Sequence, residues 1–331
     1  MKSTPRVSII MPSYNVAETV ERAIHSVLAQ SVGDFELLVV NDASTDNTLA
    51  LVTALAEATG DPRIRIIDLP ANIGLSGVRN AGLDAATGTF VTFLDADDEY
   101  LPPFLATHLA ALEGDTDISI VGHIVVRPDG SEAPRHSPFL GELAGVQAMQ
   151  AAMADQILPF TWDKVYRRSL FEGVRYPVGS TRFEDMTVNI ILYPRARKVR
   201  SVATPLQRYY ISSGSLTWGR IPTENDTELA LADLHELLPA QYRAGKYSRF
   251  YAAMRVLITM IVAQSAIMKV RNQPAAQSTI DDCRRSLTVK RIVGAALVRP
   301  KIAAGALLLK VAPRTFAKTY LRYSAGSYGL Q

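Results

Sequence analysis

Three aspartates, Asp95, Asp97 and Asp98, fall within four residues at the end of the apolar run 90–94. Carboxylates this close repel one another unless a cation shares them. Their oxygens are hard ligands of the kind Mg²⁺ or Mn²⁺ takes, with phosphate oxygens completing the shell. An ion held there could neutralise a diphosphate as it departs. The competing reading is that the acids cap a helix starting near Pro102, each worth about 0.3–1 kcal/mol. One cap does not require three acids.

Three further segments carry chemistry-bearing types. Asn72-Ile-Gly74-Leu-Ser-Gly77-Val-Arg79-Asn80 has two glycines that allow close backbone approach. Its arginine has the planar fork that suits phosphate. A plain loop with a helix cap has the same composition. Arg182-Phe-Glu184-Asp185-Met186 places two adjacent acids between apolar anchors. One acid is a candidate general base if it faces a site; otherwise both are solvated on the first turn of a helix. Trp162-Asp163-Lys164-Val-Tyr166 sets an aromatic beside polar groups, as in a sugar platform. Core packing by Trp162 and Tyr166 accounts for it equally well.

These residues need a scaffold. Apolar runs at 7–11, 36–40, 64–69, 90–94 and 118–126 read as strands. Between them lie helical patterns. Val20, Ala23, Ile24, Val27 and Leu28 share one helical face. Asp46 can cap the helix carrying Leu49, Val52 and Leu55. Residues 74–86 form a third helix, and Pro102-Pro103 suits the first turn of the next. The pattern is that of an α/β fold with a mainly parallel sheet and flanking helices. From about Asn225 the pattern is helical. In such sheets, ligands bind beyond the carboxyl ends of the strands. Pro12-Ser-Tyr14-Asn15, Asn41-Asp42-Ala-Ser44 and Asp95-Ala96-Asp97-Asp98 are therefore expected to converge on one edge.

Composition narrows the classes. The chain has 331 residues, enough for about two domains, and 48% are hydrophobic. The single cysteine, Cys283, excludes an intramolecular disulfide and a cysteine-based zinc site. The five histidines lack zinc-ligand spacing. The N-terminus lacks the layout of a signal peptide. Residues 251–268 are mostly apolar but interrupted by Arg255 and Gln264, so a buried core helix is expected rather than a bilayer span.

The charge is unevenly placed. Residues 283–331 hold ten Lys/Arg and no Asp or Glu, which leaves 25 basic against 32 acidic residues in the rest. Within 284–322 the cations interleave with Ile292, Val293, Leu297, Val298, Ile302, Leu307, Leu308, Leu309 and Val311, and Pro300 and Pro313 break the run. One or two amphipathic basic helices at an anionic membrane surface are expected. The alternatives are a bundle helix with a solvated basic face, or a tail that packs on the acidic body. No DNA- or RNA-binding motif is present, so nucleic acid is not an expected partner.

Taken together, the segments 7–15, 40–46, 72–80, 93–98, 162–164 and 183–185 resemble the family 2 glycosyltransferases of bacterial cell-envelope type, in order and spacing, over about residues 6–218. The resemblance implies a GT-A fold over 1–220, with a nucleotide-binding half of about 1–126 and an acceptor half of about 127–220. A helical C-terminal region, 221–331, follows. It implies an inverting transferase that uses a nucleoside-diphosphate sugar, UDP first among them, and Mn²⁺ or Mg²⁺. The acceptor would be a saccharide, a lipid-linked glycan or a polymer. By that resemblance Pro12, Tyr14, Asn15, Asp42, Gly74, Arg79, Asp95 and Ala96 surround the nucleotide, with Asp42 on the base. Asp97 and Asp95 hold the ion, Asp185 is the catalytic base with Glu184 beside it, and Trp162, Asp163 and Lys164 lie on the acceptor side. The loop Ser213–Thr217 would close over the donor and acceptor. Apart from the resemblance, the basic segment 284–322 leads to an expected place in the cytoplasm, peripheral on the inner face of the plasma membrane. Two other readings remain: a sugar nucleotidyltransferase, which would carry a Gly-rich basic loop after the first strand, and a non-catalytic relative, which would have lost acids.

Overall fold

The computed structural model describes residues 4–179, 182–211, 223–269 and 276–328. It divides into two compact units, 1–149 with 158–210, and 150–157 with 211–331.

The first unit is built on one mixed sheet. Its strands are β1 (Val7–Ser13), β2 (Phe35–Asn41), β3 (Ile64–Asp68), β4 (Phe90–Phe93), β5 (Glu99–Tyr100), β6 (Thr116–Val126), β7 (Glu132–Arg135), β8 (Gly141–Ala144), β9 (Lys164–Arg167) and β10 (Lys198–Tyr210). The spatial order is β3-β2-β1-β4-β9-β6-β10-β5, with β7 on β6 and β8 on β10. The β3-β2-β1-β4 part is parallel, and β9 runs antiparallel to both β4 and β6.

β1 is covered on both faces. Val7, Ile9 and Met11 join a buried cluster with Val20, Ile24 and Val27 of α1 (Val20–Leu28). Ile10 points the other way, toward α3 (Gly74–Ala85), where a Cβ on Gly82 would lie 2.4 Å from Ile10 Cγ2. Only glycine lets the helix come that close. Each buried Ile or Val contributes about 1.5–3 kcal/mol relative to exposure, so this double layer fixes where the end of β1 lies. β1 was expected to stop at Pro12 but continues to Ser13. Beyond Ile10 it pairs only with β2, so proline, which has no N–H to donate, falls on an open edge.

α2 (Thr48–Thr59) and α4 (Phe104–Ala111) complete the first half, and α6 (Glu184–Leu192) precedes β10. α5 (Gly145–Met153) lies between them in the chain. Pro103 stands just before α4 rather than within its first turn.

The second unit is helical: α7 (Glu224–Leu237), α8 (Ser248–Lys269), α9 (Ala276–Ser286), α10 (Val289–Ala296), α11 (Pro300–Val311) and α12 (Pro313–Tyr328). α8 is the one described helix long and apolar enough to cross a membrane, yet most of that stretch is packed inside the protein. α9 and α10 pack on it. Pro300 and Pro313 start helices rather than break them, because a first-turn proline gives up an N–H that has no helical partner anyway.

Candidate active site

The strand-end loops of the first half are tied together by side-chain caps. Asn15, in the left-handed region at φ 53°, accepts from Thr45 N (2.8 Å) and Asp46 N (3.3 Å), while its own N–H donates to Ser44 Oγ (3.1 Å). Asp46 was expected to cap α2; the N-cap is Asn47, without a side-chain cap, and Asp46, one residue earlier, accepts from Thr48 N at 3.0 Å. Asp42 accepts from Ile73 N (2.7 Å) on Oδ1 and Gly74 N (3.0 Å) on Oδ2. The loops after β1, β2 and β3 thus form one hydrogen-bonded edge. Tyr14 is 47% exposed beside it, and Pro12 is partly buried.

The three aspartates divide their work. Asp98 is buried, accepting from Tyr210 N (3.0 Å) and Gln207 Nε2 (3.2 Å). It ties its loop to β10. Arg22 Nη2 donates to Asp97 O at 2.6 Å, so Asp97 is held by its backbone while its carboxylate stays partly open. Asp95 is also partly open, and Ala96 between them is buried.

Arg79, on α3, is almost wholly buried and meets three carboxylates. Its Nη1 is 2.6 Å from Asp185 Oδ1 and 3.3 Å from Glu184 Oε1, and its Nη2 is 3.4 Å from Asp95 Oδ1. The guanidinium also lies over the rings of Tyr176 and Phe93, 5.2 and 5.9 Å from their centroids. Stacking and forked bonding are both arginine properties that lysine lacks. One buried cation faces three acids. Burial, then Asp185, pushes Glu184 up to about 7. Burial also raises Asp95 to about 6, with Asp97 and Asp185 adding to it and Arg79 opposing it. Asp97 is raised as well, first by burial.

Glu184 and Asp185 open α6, where the helix dipole favours negative charge. Phe183, just before them, sits at φ 64°, a strained backbone for a bulky residue and of the kind found at functional sites. Asp185 Oδ2 accepts from Thr161 N at 3.1 Å, so both its oxygens are anchored. Neither Thr161 nor that contact was foreseen, since a backbone N–H leaves no mark in the sequence.

The expected acceptor-side residues are placed differently. Asp163 and Lys164 are wholly buried, 2.6 Å apart, and Lys164 Nζ also donates to Leu158 O (2.9 Å) and Phe160 O (2.5 Å). With no surface to offer a ligand, they position the 158–161 segment. Trp162 is 3% exposed and stacks between Phe160 and Tyr209, at 4.4 and 5.5 Å. His123 stands perpendicular to all three rings and is held neutral, lowered to about 4 by burial and by Lys164 and Arg135. Packing therefore claims Trp162, and the partly exposed rings are Phe160 and Tyr209. Their proximity to Trp162 in sequence or along β10 gave no specific signal. The loop at Ser213–Thr217 lies outside the described residues.

Among the described residues no three His, Cys, Asp or Glu side chains form a ready metal cage. Asp95 and Asp97 nonetheless fit an ion that takes two protein carboxylates plus phosphate oxygens. They are neighbouring hard donors, partly open, and burial raises the pKa of both above the ordinary aspartate value.

The glycosyl transferase family 2 model matches residues 8–183. An uncharacterized glycosyltransferase of Nostoc sp., alr2836, is 33% identical over 213 residues, 62% of this chain and 65% of that protein. The uncharacterized glycosyltransferase EpsJ of Bacillus subtilis is 31% identical over 221 residues, 64% of this chain and 63% of EpsJ. The chain thus spans just under two thirds of these relatives. Among solved structures, S. aureus TarS 1–349 in complex with UDP-GlcNAc matches with a TM-score of 0.67 at 18% identity, over 97% of this chain and 92% of TarS 1–349. The mannosyltransferase PcManGT from Pyrobaculum calidifontis, in complex with GDP-Man and Mn²⁺, matches at TM-score 0.56 and 18% identity, over 99% and 88% of the two chains. At such identity these likenesses speak for the fold, which is the expected GT-A architecture with a helical C-terminal region. The family match covers the strand-end loops and reaches Phe183, one residue short of the paired acids: the chain belongs to glycosyl transferase family 2.

Proposed function

We propose that this chain is an inverting glycosyltransferase that moves a sugar from a nucleoside-diphosphate donor, UDP first among them, to a saccharide, lipid-linked or polymer acceptor in cell-envelope or exopolysaccharide synthesis. The observation that carries the reading is the cluster of Asp95, Glu184 and Asp185 around the buried Arg79. It joins the loop next to the nucleotide edge to the helix bearing the paired acids. The donors in the TarS and PcManGT complexes, UDP-GlcNAc and GDP-Man, support a nucleotide-sugar donor here, and the Mn²⁺ of the latter supports a divalent ion.

In this reading Tyr14 lies along the base, and Asp42, with carboxylate lone pairs beyond the two used by Ile73 and Gly74, accepts from it. Pro12, Asn15, Gly74 and Ala96 shape the pocket through the backbone. Asp95 and Asp97 would hold Mn²⁺ or Mg²⁺, which when bound supplies positive charge to the departing diphosphate. Asp185 takes the proton of an acceptor hydroxyl as that oxygen bonds to the anomeric carbon, and the bond to the diphosphate oxygen breaks on the opposite face. The diphosphate leaves with the electron pair, and the proton remains on Asp185. Arg79 and Thr161 N–H hold that carboxylate in line, and Arg79 is a positioning residue here rather than a phosphate ligand. Phe160, next to Thr161 in the chain, offers a ring to an acceptor sugar. The cytoplasm, where nucleotide sugars are made, is the place of reaction.

A panel of nucleotide sugars with Mn²⁺, scored by slow hydrolysis and thermal shift, tests the reading. Stabilisation and hydrolysis by one donor class support it. No response to any nucleoside diphosphate or its sugars would overturn it in favour of a non-catalytic relative.

A further inference from the structure

The second unit has an outer surface that a solvated bundle does not explain. On α10, Val289, Val293 and Leu297, at i, i+4 and i+8, are 65%, 59% and 73% exposed. The opposite side of the same helix buries Ile292 and Ala295, and a Cβ on Gly294 would lie 3.3 Å from Ala252 of α8. α11 repeats the arrangement. Ala303, Ala306 and Leu309 are buried, while Leu307 and Val311, one turn apart, are 48% and 69% exposed. These helices have their inward apolar rows satisfied and carry a second apolar row outward. Single exposed hydrophobics are ordinary, but rows at helical spacing on two consecutive helices are not.

The ten cations of residues 284–322 fall into two sets. Arg284 pairs with Asp281 and Arg285 with Asp282, while Arg299 pairs with Asp155 at 3.0 Å. Arg291 donates to Ser286 O and Lys310 to Arg284 O. These five are bound into the unit. Lys290, Lys301, Arg314, Lys318 and Arg322 are exposed, and none pairs with an acid among the described residues. No Asp or Glu occurs from Cys283 onward to balance them. By helical spacing, Lys290 flanks the Val289–Val293–Leu297 row; Lys301 is exposed in the first turn of α11, and Arg314, Lys318 and Arg322 lie on α12.

We propose that α10 and α11 form a docking face for an anionic lipid bilayer, with Val289, Val293, Leu297, Leu307 and Val311 entering the interface and Lys290 and Lys301 meeting lipid headgroups. Apolar side chains at the headgroup boundary beside lysines and arginines are the composition by which a helix lies on a membrane. α8 is not the anchor, since its apolar surface is spent on packing. The face stands independently of the catalytic reading, because none of its residues belongs to the Arg79 cluster.

The test is co-sedimentation of the full chain with phosphatidylcholine vesicles, with and without phosphatidylglycerol, at low and high salt. Binding should require the anionic lipid and weaken with salt. Val293→Asp with Leu297→Asp should abolish it, and Lys290→Glu or Lys301→Glu should each lower the partition coefficient by at least about fivefold per charge removed. The substituted positions are exposed, and unchanged thermal melting together with unchanged UDP binding verifies that the variants fold. Absence of binding to anionic vesicles overturns the proposal. So does vesicle binding that survives Val293→Asp with Leu297→Asp. Light scattering that shows a dimer split by that double substitution would also overturn it, assigning the face to a second copy of the chain.

Discussion

Arg79 Nη1 lies 2.6 Å from Asp185 Oδ1, linking positions 106 residues apart in a nearly dry setting. Removing one partner of a buried ion pair costs about 3–5 kcal/mol, because the other charge is left unpaired. Arg79→Met is therefore expected to lower stability by an amount of that order and transfer by at least about 10²-fold. Arg79→Lys should recover part of the stability but little turnover, since a point charge cannot reach Asp185, Glu184 and Asp95 together. Urea midpoints and donor turnover measure both. Normal turnover in Arg79→Lys would show that the fork is not needed.

Asp185→Asn keeps the shape and the Thr161 contact but removes the proposed proton acceptor. Transfer should fall by about 10²–10⁴-fold, while UDP affinity stays within about twofold of the parent, well under the 1.4 kcal/mol of a tenfold change. Calorimetry and a UDP-release assay separate the two. A variant that turns over at the parent rate removes Asp185 from the role of base.

Asp97→Ala should abolish the dependence of UDP binding on Mn²⁺ and leave metal-free binding unchanged. Titrations with and without Mn²⁺ check this. Equal UDP affinity in the parent protein with and without the ion would argue against Asp95 and Asp97 as its ligands.

Glu184 gives a pH prediction with a definite sign. Its pKa rises from 4.5 to about 7 on folding, chiefly through burial and then Asp185. Folding therefore favours the protonated form. The stabilisation is complete below pH 4.5 and is lost as pH rises through about 7. Glu184→Gln should flatten the stability profile across that window and raise stability above it. Urea denaturation across the window decides. An unchanged slope would show that Glu184 does not titrate there.

Much of the first half was legible from residue order alone. Strands alternated with helices, each strand ended in polar residues, and Asp95, Asp97 and Asp98 followed an apolar run. Local periodicity and turn chemistry set these features, so they survive without knowledge of the partners. The segments resembling the family added the paired acids Glu184 and Asp185.

Only the tertiary structure decided how the polar residues are used. Asp98 turned inward to β10, while Asp95 and Asp97 stayed partly open. Trp162, Asp163 and Lys164 went into the core, and Phe160 was left partly exposed. Arg79 met the paired acids through a contact that no local pattern encodes. Such choices depend on which side chain reaches a given partner or escapes water, and that is settled by packing between elements far apart in the chain. Sequence periodicity can say which face of a helix is apolar. The burial of one apolar row on α10 and the exposure of another became visible only once α8 had claimed its neighbours.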